Sequence, residues 1–396
     1  MAYLLINANI ITPLTEKPIS KQAKVFEFKD HCLLIDKNKI KKIGNYREIK
    51  NEITKDTEII DINHNYLLPG FVDCHTHPVF DGKRINDFIK RVEGKSYQEI
   101  AKEGGGIKYT VEKTINSPNL KNLLIQRIQN FYQNGTTIIE AKNGYAIELE
   151  KEIEHLKLIK EVSNFVKVQL IPTFLAHIPP ENFEEYKKEL KAKAKEIRNL
   201  TDFFDIFCDK TAFSVKQTLE IVEITKDYKF YYRFHTNEFD DDGLIEELYE
   251  RYGKKINIVS FDHLLVLKKK TIEAIRKIGA FAVIMPSTSW FLGKNYSPVL
   301  EILEQDIPVC LATDYNAGSS NAISLLFVAN LASIYLKLKP EYILSFITVN
   351  PSFLLNINSG QIREGFLANF NVLKTDDWRE FCFSLDNNLI QPLKLN

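Results

Sequence analysis

Apolar positions follow two rhythms along the chain. Through residue 61 or so they form short runs or alternate, at 3–12, 25–28, 32–35, 40–43 and 58–62, which predicts a series of short strands. Asp36-Lys37-Asn38-Lys39 between two of these runs predicts a hairpin turn. The only helical period in this stretch is a faint one just before Lys55. Beyond His77 the register changes. Ser96-Tyr97-Gln98-Glu99 has the form of a capping box, and Gly104-Gly105-Gly106 permits positive φ or close backbone approach. Helical stretches such as 119–134, 148–164 and 182–199 then alternate with apolar runs at 137–141, 166–172, 203–208, 230–234, 257–261, 280–285 and 308–312.

Adding residues 67–74 makes eight strand candidates, the number a (β/α)8 TIM-type barrel needs, whereas an open doubly wound sheet commonly has five or six. No G-x-G-x-x-G follows the first of them, so dinucleotide binding has no support. After Asn350-Pro351 and a last helix, 368–373 and 381–390 read as strands again. The expectation is an α/β chain in which 66–354 form the barrel, while 1–65 and 355–396 pair into a small β-sandwich-like domain.

Composition narrows the function. The 396 residues carry 52 basic and 52 acidic side chains, a formal net charge of zero. Nucleic acid or an anionic membrane needs a basic face, so neither is expected as a partner. With no run of about 18 apolar residues and no signal-peptide start, the expected location is the cytoplasm. The five cysteines, Cys32, Cys74, Cys208, Cys310 and Cys382, are scattered and odd in number, which speaks against a disulfide framework or a cysteine zinc knot.

Chemistry then falls where a barrel would collect it. The run Pro69-Gly70-Phe71-Val72-Asp73-Cys74-His75-Thr76-His77 ends in two histidines one residue apart. Alternate side chains on a strand share a face, and paired neutral imidazoles suit a borderline-soft divalent metal such as Zn²⁺ or Fe²⁺. The other strand ends carry Glu140 to Tyr145, His177, Asp209-Lys210, His235 to Glu238, Asp262-His263 and Thr313 to Asn316. Taken singly, each has a plainer reading: a hydrogen-bonded histidine, an Asp capping a turn, a packed Tyr145. Their conjunction at one barrel face argues against chance, because barrel enzymes place their chemistry at the carboxyl ends of the strands. His31, His64 and His155 lie elsewhere and read as structural.

With these residues, and with Arg84, Gly104-Gly105-Gly106-Ile107, Asp205-Ile206-Phe207-Cys208, Ala212-Phe213-Ser214, Asp262-His263-Leu264-Leu265 and Ala312 through Ser320, the chain resembles the metal-dependent amidohydrolases. Within that superfamily it is similar to the imidazolonepropionase family over nearly its whole length. The resemblance implies one divalent metal, zinc or iron, on His75, His77, His235 and Asp314, with His263 near the metal-bound water. It implies substrate contacts from Arg84, Tyr145, His177, Glu238, Asn316, Gly318 and Ser319, with Tyr97 a weaker candidate, and a homodimer. Hydrolytic ring opening of a carboxylate-bearing imidazolone is the implied activity, with Glu238, His263 and Asp314 as the candidate proton-handling groups. A guanidinium fork at Arg84 suits a carboxylate.

The chain departs from the family at Asn143 and Ala146 around Tyr145, at Leu175-Ala176 before His177, at Thr236-Asn237 after His235, and at 364–369. Binuclear relatives bridge two metals with a carboxylated lysine, but the match is to the mononuclear group, so Lys142 and Lys210 are expected to stay ordinary amines. Two alternatives remain: a deaminase of a purine, pyrimidine or pterin ring, and a barrel that has lost catalysis and serves in assembly.

Overall fold

The structure is a computed structural model that describes residues 2–386 and 388–395, apart from the side chains of Tyr97, Gln98 and Ala101. The first sixty residues fold into β1 (Ala2–Pro13), β2 (Val25–Asp36), β3 (Lys39–Gly44) and β4 (Thr57–Asp61), followed by β5 (Tyr66–Pro69). The hairpin at Lys37 and Asn38 has both residues at positive φ, 49° and 60°. Eight strands then alternate with helices: β6 (Phe71–Asp73), β7 (Thr136–Lys142), β8 (Gln169–Ala176), β9 (Phe203–Phe207), β10 (Tyr231–Thr236), β11 (Asn257–His263), β12 (Phe281–Ile284) and β13 (Val309–Leu311). They pair in parallel in sequence order from β6 to β13. The ring closes just past its two edge strands, where Asp314 N donates to His75 O at 3.0 Å and His77 N to Tyr315 O at 2.8 Å.

Helices cover the barrel through apolar stripes. In Leu149–Val162, for example, Leu149, Ile153, Leu156, Ile159 and Val162 are all buried, at the spacing that puts them on one face. The helix Phe183–Leu200 starts where Asn182 accepts the N–H of Glu185. The Ser96–Glu99 capping box is present, Glu99 N donating to Ser96 Oγ at 3.3 Å and Ser96 N to Glu99 Oε2 at 2.7 Å.

The last strands, β14 (Phe370–Leu373) and β15 (Ile390–Pro392), join the first in one mixed sheet ordered β15-β14-β5-β1-β2-β3, with β4 beside β1. The apolar run 67–74 is split: Leu67 to Pro69 pair with β14, and the barrel strand begins at Phe71. Gly70 makes this corner, since a Cβ there would come within 2.6 Å of Thr137 Cγ2. The described residues of the expected strand 381–390 do not form one; Asn387 lies outside them. Trp378–Cys382 forms a 3-10 turn capped by Asp377, with Phe381 and Cys382 buried, and extended pairing resumes only at Ile390. All five cysteines are buried and unbridged.

Candidate active site

Strands β6, β10, β11 and β13 deliver four histidines and one aspartate to a single point at the carboxyl end of the barrel. His75 Nε2 and His77 Nε2 are 3.2 Å apart, and His77 Nε2 and His235 Nε2 are 3.3 Å apart. Asp314 Oδ1 lies 3.5 Å from His75 Nε2 and 3.4 Å from His77 Nε2. All four side chains are buried. His75 Nδ1 donates to Asp262 Oδ2 at 2.7 Å and His235 Nδ1 to Asp205 Oδ1 at 3.1 Å, because a carboxylate only accepts. The Nε2 atoms of His75 and His235 therefore each present a lone pair toward His77 Nε2, while His77 Nδ1 is buried without a hydrogen-bond partner.

Burial, reinforced by Lys142, holds His75 and His77 well below the ordinary histidine pKa. Burial likewise takes His235 down to about 4, against the pull of Asp205. Neutral imidazoles whose lone pairs converge with a carboxylate oxygen repel one another unless a cation lies between them. Donors held about 2.0–2.1 Å from a tetrahedral ion are about 3.3–3.4 Å apart, and the four measured separations fit that spacing. Asp314 is fixed from behind by Thr288, whose Oγ1 donates to Asp314 Oδ2 at 2.6 Å. Around the cluster the backbone is strained: Asn237, His263 and Asp314 have φ of 57°, 80° and 51°, values an L residue seldom adopts.

A cavity of about 440 Å³ opens over this cluster, and Arg84, Tyr145, His177, Glu238, Asn316, Gly318 and Ser319 all line it. His263 Nδ1 stands 3.9 Å from Glu238 Oε2, while Lys294 Nζ donates to Glu238 Oε1 at 3.0 Å. Tyr145 is buried, which raises its phenol to about 12, and its ring meets that of His177 edge-on at 5.4 Å. His177 donates from Nδ1 to Gly144 O at 2.9 Å, and burial, then His77, lowers its pKa to about 3. Asn316 Oδ1 accepts the N–H groups of Gly318 and Ser319 at 2.8 and 2.7 Å, which fixes the loop after β13. Three side chains lining the pocket keep a buried nitrogen without a hydrogen-bond partner: His77 at Nδ1, Arg91 at Nη1 and Arg84. The Arg84 Nε is buried without a partner, and no carboxylate among the described residues lies within ion-pair range of it. Its guanidinium packs directly against Gly318, where a Cβ would come 1.5 Å from Nη2.

Other expected residues fall outside the pocket. The Tyr97 side chain lies outside the described residues. Lys210 is exposed and pairs with Asp240 at 2.9 Å. Lys142 is fully buried between Glu140 and Asp205, at 2.5 and 2.8 Å. The Gly106 N–H donates to Asp87 Oδ2 at 2.8 Å, and Gly104 and Gly106 both have positive φ, as the glycine run permits. The departures near Tyr145 are absorbed locally: Asn143 Oδ1 accepts Leu175 N at 2.6 Å, and Glu152 accepts the N–H groups of Gly144 and Ala146. His155, read as structural, is buried. The sequence reading assigned no role to Asp205, Arg233, Glu140 or Thr288. For the first three a signal existed, since a charge inside an apolar barrel strand must be buried and paired.

Residues 66–392 match the amidohydrolase family. This chain belongs to the amidohydrolase family. Curated relatives of this amidohydrolase include the imidazolonepropionase of Kosmotoga olearia, 36% identical over 354 residues that cover 87% of this chain and 86% of the relative. The imidazolonepropionase of Idiomarina loihiensis is 32% identical over 385 residues, covering 93% and 91%. Among solved structures, guanine deaminase of E. coli has a TM-score of 0.70 at 16% identity, covering 99% of both chains. Atrazine chlorohydrolase of Arthrobacter aurescens TC1, complexed with zinc, has a TM-score of 0.70 at 14% identity, covering 100% and 97%. At such identities these neighbours speak for the fold alone. The amidohydrolase family is metal-dependent, and the His75, His77 and Asp314 donors form a metal-competent group in this chain.

Proposed function

We propose that this amidohydrolase is an imidazolonepropionase, which adds water across the ring amide of 4-imidazolone-5-propanoate and yields N-formimidoyl-L-glutamate in histidine degradation. The observation that carries the reading is Arg84, a guanidinium with no counter-ion among the described residues, at the pocket beside the His/Asp cluster. A propionate supplies the missing anion in two-point contact. A neutral purine, pyrimidine or pterin base would leave Arg84 unpaired, which disfavours the deaminase alternative, and the intact donor set disfavours a non-catalytic barrel.

In this reading His75, His77, His235 and Asp314 hold one divalent ion, zinc or iron. Bound there, the ion supplies Lewis acidity, polarising the ring carbonyl and making water acidic enough to ionise near neutral pH. Arg84 grips the propionate and sets the ring over the cluster, while Tyr145 and His177 wall the pocket so that the ring enters in one orientation. Glu238 is the favoured acceptor of the proton released as water adds, and His263, 3.9 Å from it, is placed to pass a proton to the leaving ring nitrogen. Asp314 is the third candidate; in this reading its carboxylate also holds the ion, and its Oδ2 accepts from Thr288. The loop from Asn316 to Ser319 lies over the substrate and the product.

The same reading takes the protein as a cytoplasmic homodimer with a small-molecule partner and no nucleic acid or membrane. No helix among the described residues is long and apolar enough to cross a membrane. The helix Ile85–Val92 turns Ile85, Phe88, Ile89 and Val92 outward, with Val92 73% exposed, an apolar face suited to a second subunit. Sedimentation of the wild type and an I89D variant tests this: a wild-type monomer removes the dimer. For the activity, metal-loaded protein is mixed with fresh imidazolonepropanoate, and loss of its ultraviolet absorbance is followed together with formimidoylglutamate release. No turnover by the fully metallated protein would defeat the assignment.

A further inference from the structure

Beneath the His/Asp cluster lies a row of five buried charges that the proposed reaction does not use. From the His235 side, Asp205 takes the imidazole Nδ1–H on Oδ1 and Lys142 Nζ on Oδ2, at 3.1 and 2.8 Å. Lys142 Nζ also reaches Glu140 Oε1 at 2.5 Å, and Arg233 Nη1 lies 3.2 Å from that same oxygen. Arg233 Nη2 continues to Asp262 Oδ2 at 2.7 Å, and Asp262 Oδ2 accepts His75 Nδ1–H at 2.7 Å. Two further contacts lock Arg233, Nε to Ser260 Oγ at 3.0 Å and Nη1 to Cys74 O at 2.6 Å. Asp205, Lys142, Glu140, Arg233 and Asp262 are each fully buried.

The order of charges along this row is minus, plus, minus, plus, minus, and its two ends are the carboxylates that fix the proton on His235 and His75. We infer that these five residues form one positioning belt that aims two imidazole Nε2 atoms at a common point, with Lys142 as its keystone. The inference rests on the metal reading of the site but not on the choice of substrate. Buried carboxylates are costly unless paired, so three of them fit in one layer only because two cations stand between them. Lys142 separates Glu140 from Asp205, and without it those two carboxylates would face each other across a dry interior. Asp205 would then be pushed away from Glu140, and it would no longer hold His235 in a single orientation. The belt also engages Lys142 Nζ as an ammonium between two carboxylates, a role a carboxylated lysine, which is itself an anion, could not fill.

The test is the zinc affinity of the purified apoprotein, measured by chelator competition, together with the visible spectrum of the cobalt-substituted form. In wild type, failure to bind zinc or cobalt would defeat the metal reading itself. Given wild-type binding, K142M is expected to bind zinc at least about tenfold more weakly, as partners behind metal-bound histidines usually require, and to change the cobalt spectrum. Charge alone acts in the opposite direction, since removing a buried cation next to the site should tighten binding of another. Unchanged or tighter zinc binding by K142M therefore overturns the inference. E140Q/K142M removes the central pair as a unit and is expected to recover most of the loss; a double variant as weak as K142M would also overturn it. K210M, which deletes the exposed partner of Asp240, should bind as wild type does. If K142M fails to fold while the double variant folds and binds, charge alternation is upheld; if neither folds, the row is a folding element and the positioning role is lost.

Discussion

Gly318→Ala isolates the seat of the proposed carboxylate-binding arginine. Gly318 is not among the glycines with positive φ, so alanine meets no backbone strain there. What it meets is Arg84: the new Cβ would stand 1.5 Å from Nη2 and 1.8 Å from Cζ. Ordinary contact requires about 3.5 Å, so the guanidinium must retreat by about 2 Å. That distance takes its N–H groups out of hydrogen-bond range of an anion they previously held. Hydrogen bonds to charged groups are worth about 1.5–3 kcal/mol, and about 1.4 kcal/mol is a factor of ten. KM for imidazolonepropanoate should therefore rise about 10- to 150-fold with kcat little changed, while Tm moves by no more than a few degrees because a flexible side chain yields. Steady-state kinetics on G318A, R84M and the double variant check this. If Gly318 works only by making room for Arg84, the double variant is no worse than R84M. A G318A enzyme with wild-type KM, or a double variant in which both losses add in full, would refute the reasoning.

Exhaustive dialysis against a chelator should abolish activity, and titration should restore it at one equivalent of zinc or iron per chain; restoration that needs two equivalents would contradict the single site. Saturating metal at about a thousand times Kd should add about 4 kcal/mol to stability, seen as a rise in Tm over the stripped protein. E238Q should lower kcat by about 10²- to 10⁴-fold with a much smaller change in KM, and an undiminished kcat would remove Glu238 from proton transfer. Burial lowers the His155 pKa from 6.5 to about 4. A histidine depressed in the folded state gives stability that is present above pH 6.5 and lost as pH falls toward 4, about 3 kcal/mol across that window. H155L should flatten this part of the pH dependence of urea unfolding relative to wild type, and an equal slope in both would show that His155 is not its source.

The barrel is legible in the sequence because its strands are buried on both faces and so read as unbroken apolar runs between amphipathic helices. β7 is buried at every position. Reading fails where one apolar run serves two structures. Leu67 to Cys74 is continuous in composition, yet Gly70 turns the chain from the mixed sheet into the barrel, and only the packing of Thr137 against that glycine shows why. Phe381, Cys382 and Phe383 look like a strand, but Asp377 accepts Arg379 N and starts a 3-10 turn that buries Phe381 and Cys382 without any strand partner. The β8 run is placed a few residues early, because its pairing with β9 carries it through to Ala176.

The candidate donors were legible for a different reason: they sit at or just past strand ends, where a polar side chain interrupts an apolar run and must be accounted for, whereas Arg84, Gly318 and Ser319 lie away from any strand end and came only through the resemblance to the family. The belt below them was not recognised, although Arg233 lies between Tyr232 and Phe234 and Asp205 between Phe204 and Ile206, all buried. A single charge in a strand can be explained locally by a bend, an edge or a cap, so each passes unremarked. Only closure of the ring brings Lys142 of β7, Asp205 of β9, Arg233 of β10 and Asp262 of β11 into one layer with alternating sign. Barrel topology thus does two jobs at this site: it converges the imidazoles, and it makes tolerable the buried charges that aim them. An open sheet with the same strands could present His75 and His77 together, but it would part Asp314 from His75 and leave those charges exposed to water and salt, which would screen them so that they aim nothing.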